Sequence, residues 1–424
     1  MIVINRSEEV GRINGAPVFK VMESSLIIIT PNFQRLSEDL QRMEMNYSTN
    51  FSKFLESYEF YFSHHLNLTH SYQREYILKK KYNVDYLDWK YSDPRFFWNK
   101  NLVKEFFDPT YSSWIVPLLD GCKKIYTLFI YGLNHFKIYK KKIVIKISQT
   151  IVYDEKFDYI LISRRDCSRT GTRFKIRGAD PRGNVANFVE TEQIVCFKGN
   201  TSSFVQTRGS IPLLWQQRES SLKPKPTIIH SPFSYSAFHN HFKAQLFYYG
   251  QQILVNLVNK HPAESFIGEA YERSVRYWND LSKNSTSSES GNPNSTSSNP
   301  SEENAKDSKM LSYHWFDFHE KCKGNKYENI SELMNEIDEK LMSFSYFLMG
   351  SRNNAVTFQT GAVRTNCVDC LDRTNVVQSV IAKKMLIIQL SNLGIFQTNE
   401  DLSSHTIFES LFKNGFFFFF FFFF

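Results

Sequence analysis

Hydrophobic positions along the chain predict a mixture of strands and helices. Ser25–Thr30 reads SLIIIT, and its β-branched residues predict a buried strand. Residues 357–363, TFQTGAV, predict a strand with a turn. From Asn375 to Gly394 apolar residues recur every three or four positions, which predicts a helix that ends at the glycine. The apolar stripe of this helix consists of Val377, Val380, Ile381, Met385 and Ile388.

Three segments depart from a globular pattern. Residues 282–309 are almost purely polar, so they cannot bury enough surface to offset their ordering entropy, and we expect a disordered loop. Residues 132–150 combine lysines with Ile/Val alternation and form an atypical insert. The run of phenylalanines at 416–424 has no turn, cap or alternation, and we interpret it as a gene-model artefact.

Composition then limits the class of protein. The chain has 424 residues, of which 42% are hydrophobic and 16% aromatic, as in a globular protein of two or three domains. The net charge of +8 favours an anionic partner, namely nucleic acid, acidic lipid or a phosphorylated substrate. No nucleic-acid-binding module is recognisable, so we expect no nucleic-acid partner.

Cysteines and hydropathy bear on the compartment. Six cysteines in a chain of 424 residues do not make a disulfide scaffold, and we expect a reducing compartment. The first residues lack the pattern of a signal peptide. No apolar run reaches the ~18 residues of a membrane-spanning helix, so we expect this chain to lack a transmembrane segment.

The candidate chemistry lies in residues 364–375, RTNCVDCLDRTN. The segment falls between the predicted strand and the predicted helix, so backbone N–H groups and the helix dipole point into the loop and favour an anion. Zinc needs about four ligands, and Cys367 and Cys370 form a single pair with no second pair to match it. A redox pair would not require the acids and arginine that accompany these cysteines.

Cys-x5-Arg, from Cys367 to Arg373, is the favoured interpretation over a surface loop with a buried cysteine. A loop of that length places a thiolate at its base and a guanidinium over the same cavity, where it binds phosphate oxygens. The helix terminus and Arg373 would lower the pKa of the Cys367 thiol from ~8.5 to ~4–7. Thr374 is placed to donate a hydrogen bond to the sulfur.

The basic stretch at 164–177 alternates near its end, with Arg173, Lys175 and Arg177 on one face of a predicted strand. An anionic membrane surface and an ordinary solvated strand face both account for this pattern.

The loop RTNCVDCLDRTNVVQ closely resembles the catalytic motif of the Sac phosphoinositide phosphatase family, Arg-x-Asn-Cys-x-Asp-Cys-Leu-Asp-Arg-Thr. The nearest branch is similar to the endomembrane enzymes that act on phosphatidylinositol 4-phosphate. Four further segments resemble the family in the same order along the chain: 158–195, 203–217, 238–259 and 313–324.

The resemblance implies a role for each residue of the loop. Cys367 matches the nucleophile and Arg373 the phosphate-binding arginine, while Asp369 and Asp372 match acids that protonate the leaving oxygen or activate water. The sequence does not tell which acid does which. The remaining positions of the phosphate loop are Asn366, Val368, Cys370 and Leu371, and packing is the role expected of Cys370. No metal and no cofactor are expected, because Arg373 and the loop amides supply the positive field.

The resemblance also implies a fold, a substrate and a location. The expected fold is α/β, or mixed α+β, with an N-terminal β-rich subdomain at 1–125 packed on a catalytic domain at 126–415 whose later part is missing. The expected substrate is a phosphatidylinositol monophosphate, chiefly the 4-phosphate, on the cytosolic face of endoplasmic reticulum or Golgi membranes. The alternative is an impaired or truncated member of the family that binds anionic lipid without turnover. A protein tyrosine phosphatase shares the loop but not the flanking segments.

Overall fold

The structure, a computed structural model, divides the chain into two compact units. The first comprises Met1–Cys167, Thr191–Ser203 and Gly350–Arg352. The second comprises Ser168–Glu190, Phe204–Met349 and Asn353–Phe424. The residues that the structure describes are 2–27, 33–57, 59–83, 88–107, 115–131, 135–139, 155–170, 176–217, 225–287, 310–369, 372–397 and 400–418.

The first unit is rich in strands. Its elements are β1 Ile2–Ile13, β2 Ala16–Leu26, α1 Glu38–Ser57, β3 Phe60–Phe62, α2 Tyr72–Tyr82, β4 Leu119–Tyr131, β5 His135–Tyr139 and β6 Glu155–Arg165. The strands β7 Val189–Phe197 and β8 Asn200–Arg208 contribute residues to both units. Within the first unit the strand order is β1-β2-β3-β4-β6-β7, with β5 on β4, and the pairs from β1 to β6 are antiparallel.

Of the buried strand expected at Ser25–Thr30, only Ser25 and Leu26 lie in a strand, and both are partly exposed. Strand β2 ends at Leu26, and Ile27 is exposed. Leu26 pairs with Ile2, the first residue of β1. Residues 28–30 lie outside the described part of the chain.

The first unit also reaches beyond residue 125, where the sequence placed a boundary. Strands β4 and β6 pair antiparallel from Gly121 opposite Arg164 to Ile130 opposite Glu155, and this long ladder keeps both strands in one unit. Part of the atypical insert, His135–Tyr139, is strand β5, which pairs antiparallel with β4. Residues 132–134 and 140–150 of the insert are outside the described ranges.

The second unit combines a parallel sheet with helices. Its further strands are β9 Trp215–Gln217, β10 Pro226–Ile228, β11 Gln251–Asn256, β12 Leu311–Trp315, β13 Phe347–Met349, β14 Ala355–Thr357 and β15 Gly361–Asn366. Its helices are α3 Ser234–Tyr249, α4 Ser265–Ser287, α5 Phe318–Lys321, α6 Ile330–Phe344, α7 Asp372–Asn392 and α8 Thr406–Phe418.

Strands β8, β15, β11 and β12 lie side by side and run parallel. Both faces of this sheet are covered. On one face Val255 and Val363 pack with α6 and α7, and on the other Leu254 packs with α3 and α4. Burial on both sides explains why β11 and β15 are continuously buried instead of alternating. In open parallel sheets, ligands bind beyond the carboxyl ends of the strands, and these ends are Arg208, Asn366, Asn256 and Trp315.

Two expectations about polar and biased segments need correction. Residues 282–287 of the predicted disordered loop continue α4, because each residue added to an existing helix gains a hydrogen bond at low cost. The rest of that loop, 288–309, is not among the described residues. Helix α8 continues through Phe418, and Phe416 is buried with its ring 5.1 Å from that of Phe412, so the second unit does not end at residue 415.

Candidate active site

The cysteine loop follows the carboxyl end of β15. Asn366 is the last residue of the strand, Cys367 comes next and is buried, and α7 begins at Asp372. The predicted helix is confirmed, whereas the strand predicted at 357–363 is shifted along the chain, because Thr357 ends β14 and β15 begins only at Gly361. Helix α7 buries Val377, Ile381 and Met385 of the predicted stripe, while Val380 and Ile388 are partly buried against the same core. Cys370 and Leu371 lie outside the described residues.

A chain of side-chain hydrogen bonds supports the start of the loop. Asn366 Nδ2 donates to Asn256 Oδ1 over 2.6 Å, and Asn256 Nδ2 donates to the hydroxyl of Tyr313 over 2.8 Å. The Tyr313 hydroxyl donates to the carbonyl of Gly268 over 3.1 Å, and burial raises its pKa, so it stays a donor. The backbone adds a bond from Leu257 N to Asn366 O of 2.8 Å. The end of β15, next to Cys367 in the sequence, is thereby tied to the end of β11, which is tied in turn to Tyr313 in β12.

Arg364, three residues before Cys367, is completely buried in β15. Its Nε donates to Nε2 of His241 over 3.1 Å, and its Nη2 donates to the carbonyl of Ser210 over 2.7 Å. Nδ1 of His241 lies 3.0 Å from the carbonyl of Gly183. His241 therefore accepts at Nε2 and donates at Nδ1, which defines a neutral imidazole. These hydrogen bonds link the loop around Gly183 to β15, the strand that immediately precedes Cys367.

Arg177 does not lie on a membrane-facing surface, and that expectation is wrong. Its side chain is 1% exposed, its Nη2 is paired with Oδ1 of Asp369, and its Nε donates to Gln217 Oε1 over 2.8 Å. Alternation assigns residues to two faces of a segment but does not tell which face meets the rest of the protein. Here the arginine is buried because a carboxylate distant in the sequence is available to pair with it. Arg173 and Lys175 lie outside the described residues.

The backbone that carries Arg177 is fixed from several sides. Gly178 adopts φ +65, and a Cβ there would lie 2.5 Å from the carbonyl of Leu213, so the position requires glycine. Its N–H donates to Ser210 Oγ over 2.9 Å. The guanidinium of Arg169 donates to the carbonyls of Arg177 and Gly178 over 2.9 and 3.2 Å. Asp369 is therefore paired with an Arg177 guanidinium whose position is defined by the surrounding backbone.

Arg373 lies in the first turn of α7 and is 28% exposed. Its Nη1 lies 3.1 Å from Asn259 Oδ1, 3.3 Å from the carbonyl of Leu257 and 3.4 Å from Glu264 Oε2. Glu264 Oε2 also accepts from the backbone N–H of Asn259 over 3.0 Å. The loop that follows β11 therefore holds one edge of the guanidinium in place.

The other predicted loop residues differ in environment. Thr374 is completely buried, whereas Asp372 is exposed at the first position of α7. Val368 is partly buried and packs on the core formed with α3 and α4. The aligned peptide dipoles of α7, a helix of 21 residues, make its N-terminus favourable for an anion. Among the residues that the structure describes, no group of three or more His, Cys, Asp or Glu side chains is arranged to hold a metal ion.

Several residues around the loop were not predicted as part of a site. They are Gln217, Asn259, Glu264, His241, Arg208 and Asn375. Arg208 is buried at the end of β8, and its Nη1 donates to Asn375 Oδ1 in α7. One signal could have indicated them. Charged residues such as Arg208 and Arg364 lie within strands that are buried along their length, and a buried charge needs a partner nearby.

Fold and loop together define a mixed α/β protein that carries a Cys-x5-Arg loop at the carboxyl end of a parallel sheet. The family described as the SacI homology domain matches residues 1–323. The chain belongs to this family, as the resemblance of its loop suggested.

Relatives of known name extend the similarity beyond residue 323. The chain is 31% identical over 416 residues to the zebrafish (Danio rerio) phosphatidylinositol-3-phosphatase SAC1-A, covering 98% of this chain and 62% of the relative. It is 33% identical over 414 residues to the phosphoinositide phosphatase SAC7 of Arabidopsis thaliana, covering 97% and 61%. It is 33% identical over 376 residues to the human phosphatidylinositide phosphatase SAC2, covering 87% and 30%.

The chain spans about three fifths of the length of the first two of these relatives. Within the described ranges, none of the helices is both long enough and apolar enough to cross a lipid bilayer.

Proposed function

We propose that this chain hydrolyses the phosphomonoester of phosphatidylinositol monophosphates through a phosphocysteine formed on Cys367. The observation that carries the proposal is the position of Cys367, at the start of a Cys-x5-Arg loop between the central strand β15 and the N-terminus of α7. The names of the relatives, all of them phosphoinositide phosphatases, support the choice of substrate class.

In the first step the Cys367 thiolate attacks the phosphorus, and the bond from phosphorus to the inositol oxygen breaks. Arg373 and the loop N–H groups hold the phosphate oxygens, and their positive field acts where negative charge develops. The leaving oxygen takes a proton from an acid, for which Asp369 and Asp372 are the candidates of the loop. Thr374 donates to the sulfur, and Cys370 has a packing role.

In the second step water attacks the phosphocysteine, the phosphorus–sulfur bond breaks, and the electron pair returns to sulfur as thiolate. A carboxylate of the loop takes the proton of the attacking water. Inorganic phosphate then leaves. The other positions proposed for the phosphate loop are Asn366, Val368 and Leu371.

The proposed substrate is chiefly phosphatidylinositol 4-phosphate, by resemblance to the endomembrane branch of the family. The printed name of the zebrafish relative refers instead to the 3-phosphate, so both isomers belong in the test. The proposed location is the cytosolic face of endoplasmic reticulum or Golgi membranes. Arg173 and Lys175 are proposed to face the anionic membrane, a role in which Arg177 has no part.

Release of phosphate from short-chain phosphoinositides tests the proposal. Wild-type chain should release phosphate from a monophosphate and not from a phosphotyrosine peptide, and Cys367→Ser should release none. Release from the peptide alone would point to a protein phosphatase. Binding to anionic vesicles without any turnover would support the alternative, a lipid-binding member of the family that has lost catalysis.

Vesicles that contain phosphatidylserine and the substrate test the membrane contact separately. At physiological salt the attraction between these cations and the anionic membrane is screened within ~8 Å. Activity on vesicles should therefore fall steeply as the salt concentration rises, while activity on short-chain substrate should fall much less. Arg173→Ala with Lys175→Ala should flatten the dependence on vesicles and preserve the soluble reaction. Equal loss of both activities would place these two residues in the site or the core.

A further inference from the structure

Asp369 and Asp372 have similar places in the sequence motif but different partners in the structure. Asp369 is paired with Arg177, whose side chain is 1% exposed, and 25% of the Asp369 side chain itself is exposed. Asp372 is exposed at the start of α7. The two acids therefore differ in their partners and in their exposure to solvent.

Arg177 has little freedom to follow Asp369 if the loop moves. Its Nε is bound to Gln217 Oε1 at the end of β9, and its backbone is held by Arg169 and by the constrained Gly178. The guanidinium of Arg177 donates to the side-chain amide oxygen of Gln217 and to the carboxylate of Asp369, and these two hydrogen bonds fix its plane. The arginine is thus a stationary group to which the loop is attached at Asp369.

A buried guanidinium stays charged and requires compensation. Protonation of Asp369 would remove the negative charge with which Arg177 is paired. Oδ1 of Asp369 accepts from Nη2 of Arg177, so the pair presents the carboxylate as a hydrogen-bond acceptor in a fixed orientation. A base that takes a proton from water in the second step needs an oriented carboxylate of this kind.

We propose that Arg177 is a positioning residue that acts through Asp369 and commits this carboxylate to hydrolysis of the phosphocysteine. The inference rests on the proposed function. In that step the oxygen of water bonds to phosphorus, the phosphorus–sulfur bond breaks, Cys367 regains its thiolate, and one proton of the water passes to Asp369. Asp372 is the remaining candidate of the loop for the acid of the first step.

Rapid-quench kinetics on short-chain phosphatidylinositol 4-phosphate test the assignment. Asp369→Asn should keep the initial burst of released inositol lipid and lose steady-state turnover by about 10²-fold or more, the scale of a general base. Arg177→Gln should also keep the burst and lose turnover about tenfold or more. The variant with both substitutions should turn over no more slowly than Asp369→Asn alone, because Arg177 has no effect without the carboxylate.

Two kinetic results would overturn the assignment. If the losses of the two single variants multiply in the double variant, Arg177 acts independently of Asp369. If Asp369→Asn abolishes the burst, this acid serves the first step.

Where Arg177→Gln fails to fold, Arg177→Lys replaces it, since it keeps the charge and loses the paired geometry. Arg276→Gln, at an exposed arginine paired with Glu272 in α4, is the matched control and should leave turnover unchanged.

Hydrogen exchange separates failure of this inference from failure of the proposed function, because it requires no turnover. Arg177→Gln and Asp369→Asn should each speed exchange at the amides of Val368 and Asp369, and Arg276→Gln should not. If the wild-type chain releases no phosphate, the assigned reaction step fails together with the proposed function. In that case hydrogen exchange alone tests whether Arg177 positions the loop. Unchanged exchange in Arg177→Gln would refute this positioning role.

Discussion

Arg373 Nη1 lies 3.4 Å from Glu264 Oε2, so the arginine proposed to bind phosphate is engaged by a carboxylate from the loop after β11. The two side chains are 28% and 21% exposed, which places the pair at the edge of the site. Glu264 is itself held by the backbone N–H of Asn259. The pair gives the guanidinium a defined orientation before any substrate arrives.

Glu264→Ala should therefore reduce kcat/KM on short-chain substrate. A pair that is partly exposed contributes up to about 1 kcal/mol, which corresponds to about fivefold. Glu264→Gln keeps a hydrogen-bond acceptor and should lose less. Steady-state kinetics of both variants measure the effect, with Glu332→Gln as the control, because Glu332 pairs with Lys321 on the surface. An increase in kcat/KM for Glu264→Ala would show that the carboxylate competes with phosphate instead of orienting the arginine.

Burial raises the pKa of Asp120 in β4 to about 6, although Arg165, with Nη1 3.9 Å from Oδ2, acts in the opposite direction. The folded chain then binds this proton more tightly than the unfolded chain, whose Asp has its usual pKa of 3.8. The stability contributed by the group is fully present below pH ~4 and is lost as the pH rises through about 6, by up to about 3 kcal/mol.

Urea unfolding between pH 5 and pH 7 measures this effect as a slope of the unfolding free energy against pH. Asp120→Asn should remove part of the decline in stability that the wild-type chain shows over this interval. Asp39→Asn, at an exposed position in α1, should leave the slope unchanged. Identical slopes for Asp120→Asn and the wild-type chain would contradict the raised pKa.

Phosphate release should not depend on a metal ion. Arg373 and the N-terminus of α7 are proposed to supply the positive field around the phosphate, which is the contribution that a metal makes in other phosphatases. Turnover in excess chelator should equal that of untreated protein. A loss of activity on chelation that added magnesium or zinc restores would refute this mechanism.

Local periodicity predicted some of these features and not others. The steps of three and four residues from Val377 to Ile388 predicted α7, because a helix with one buried stripe needs that pattern. Alternation at Thr172–Arg177 contains no information on Asp369, which is 192 residues from Arg177 in the sequence.

Contacts between distant segments account for most of what the sequence did not predict. Arg364 and His241 are 123 residues apart, and Arg373 and Glu264 are 109 apart. Each pair forms because parallel strands bring their carboxyl ends and flanking helices together. The strand order that does this cannot be derived from the spacing of residues within one segment.

The most direct test of the proposed chemistry is the mass of the loop peptide after the reaction is quenched in acid within its first turnover. The wild-type chain incubated with phosphatidylinositol 4-phosphate should show one added phosphoryl group on Cys367. Cys370→Ser should still show it, whereas Cys367→Ser should show none and release no phosphate. A phosphoryl group on another residue, or turnover that persists in Cys367→Ser, would contradict the account.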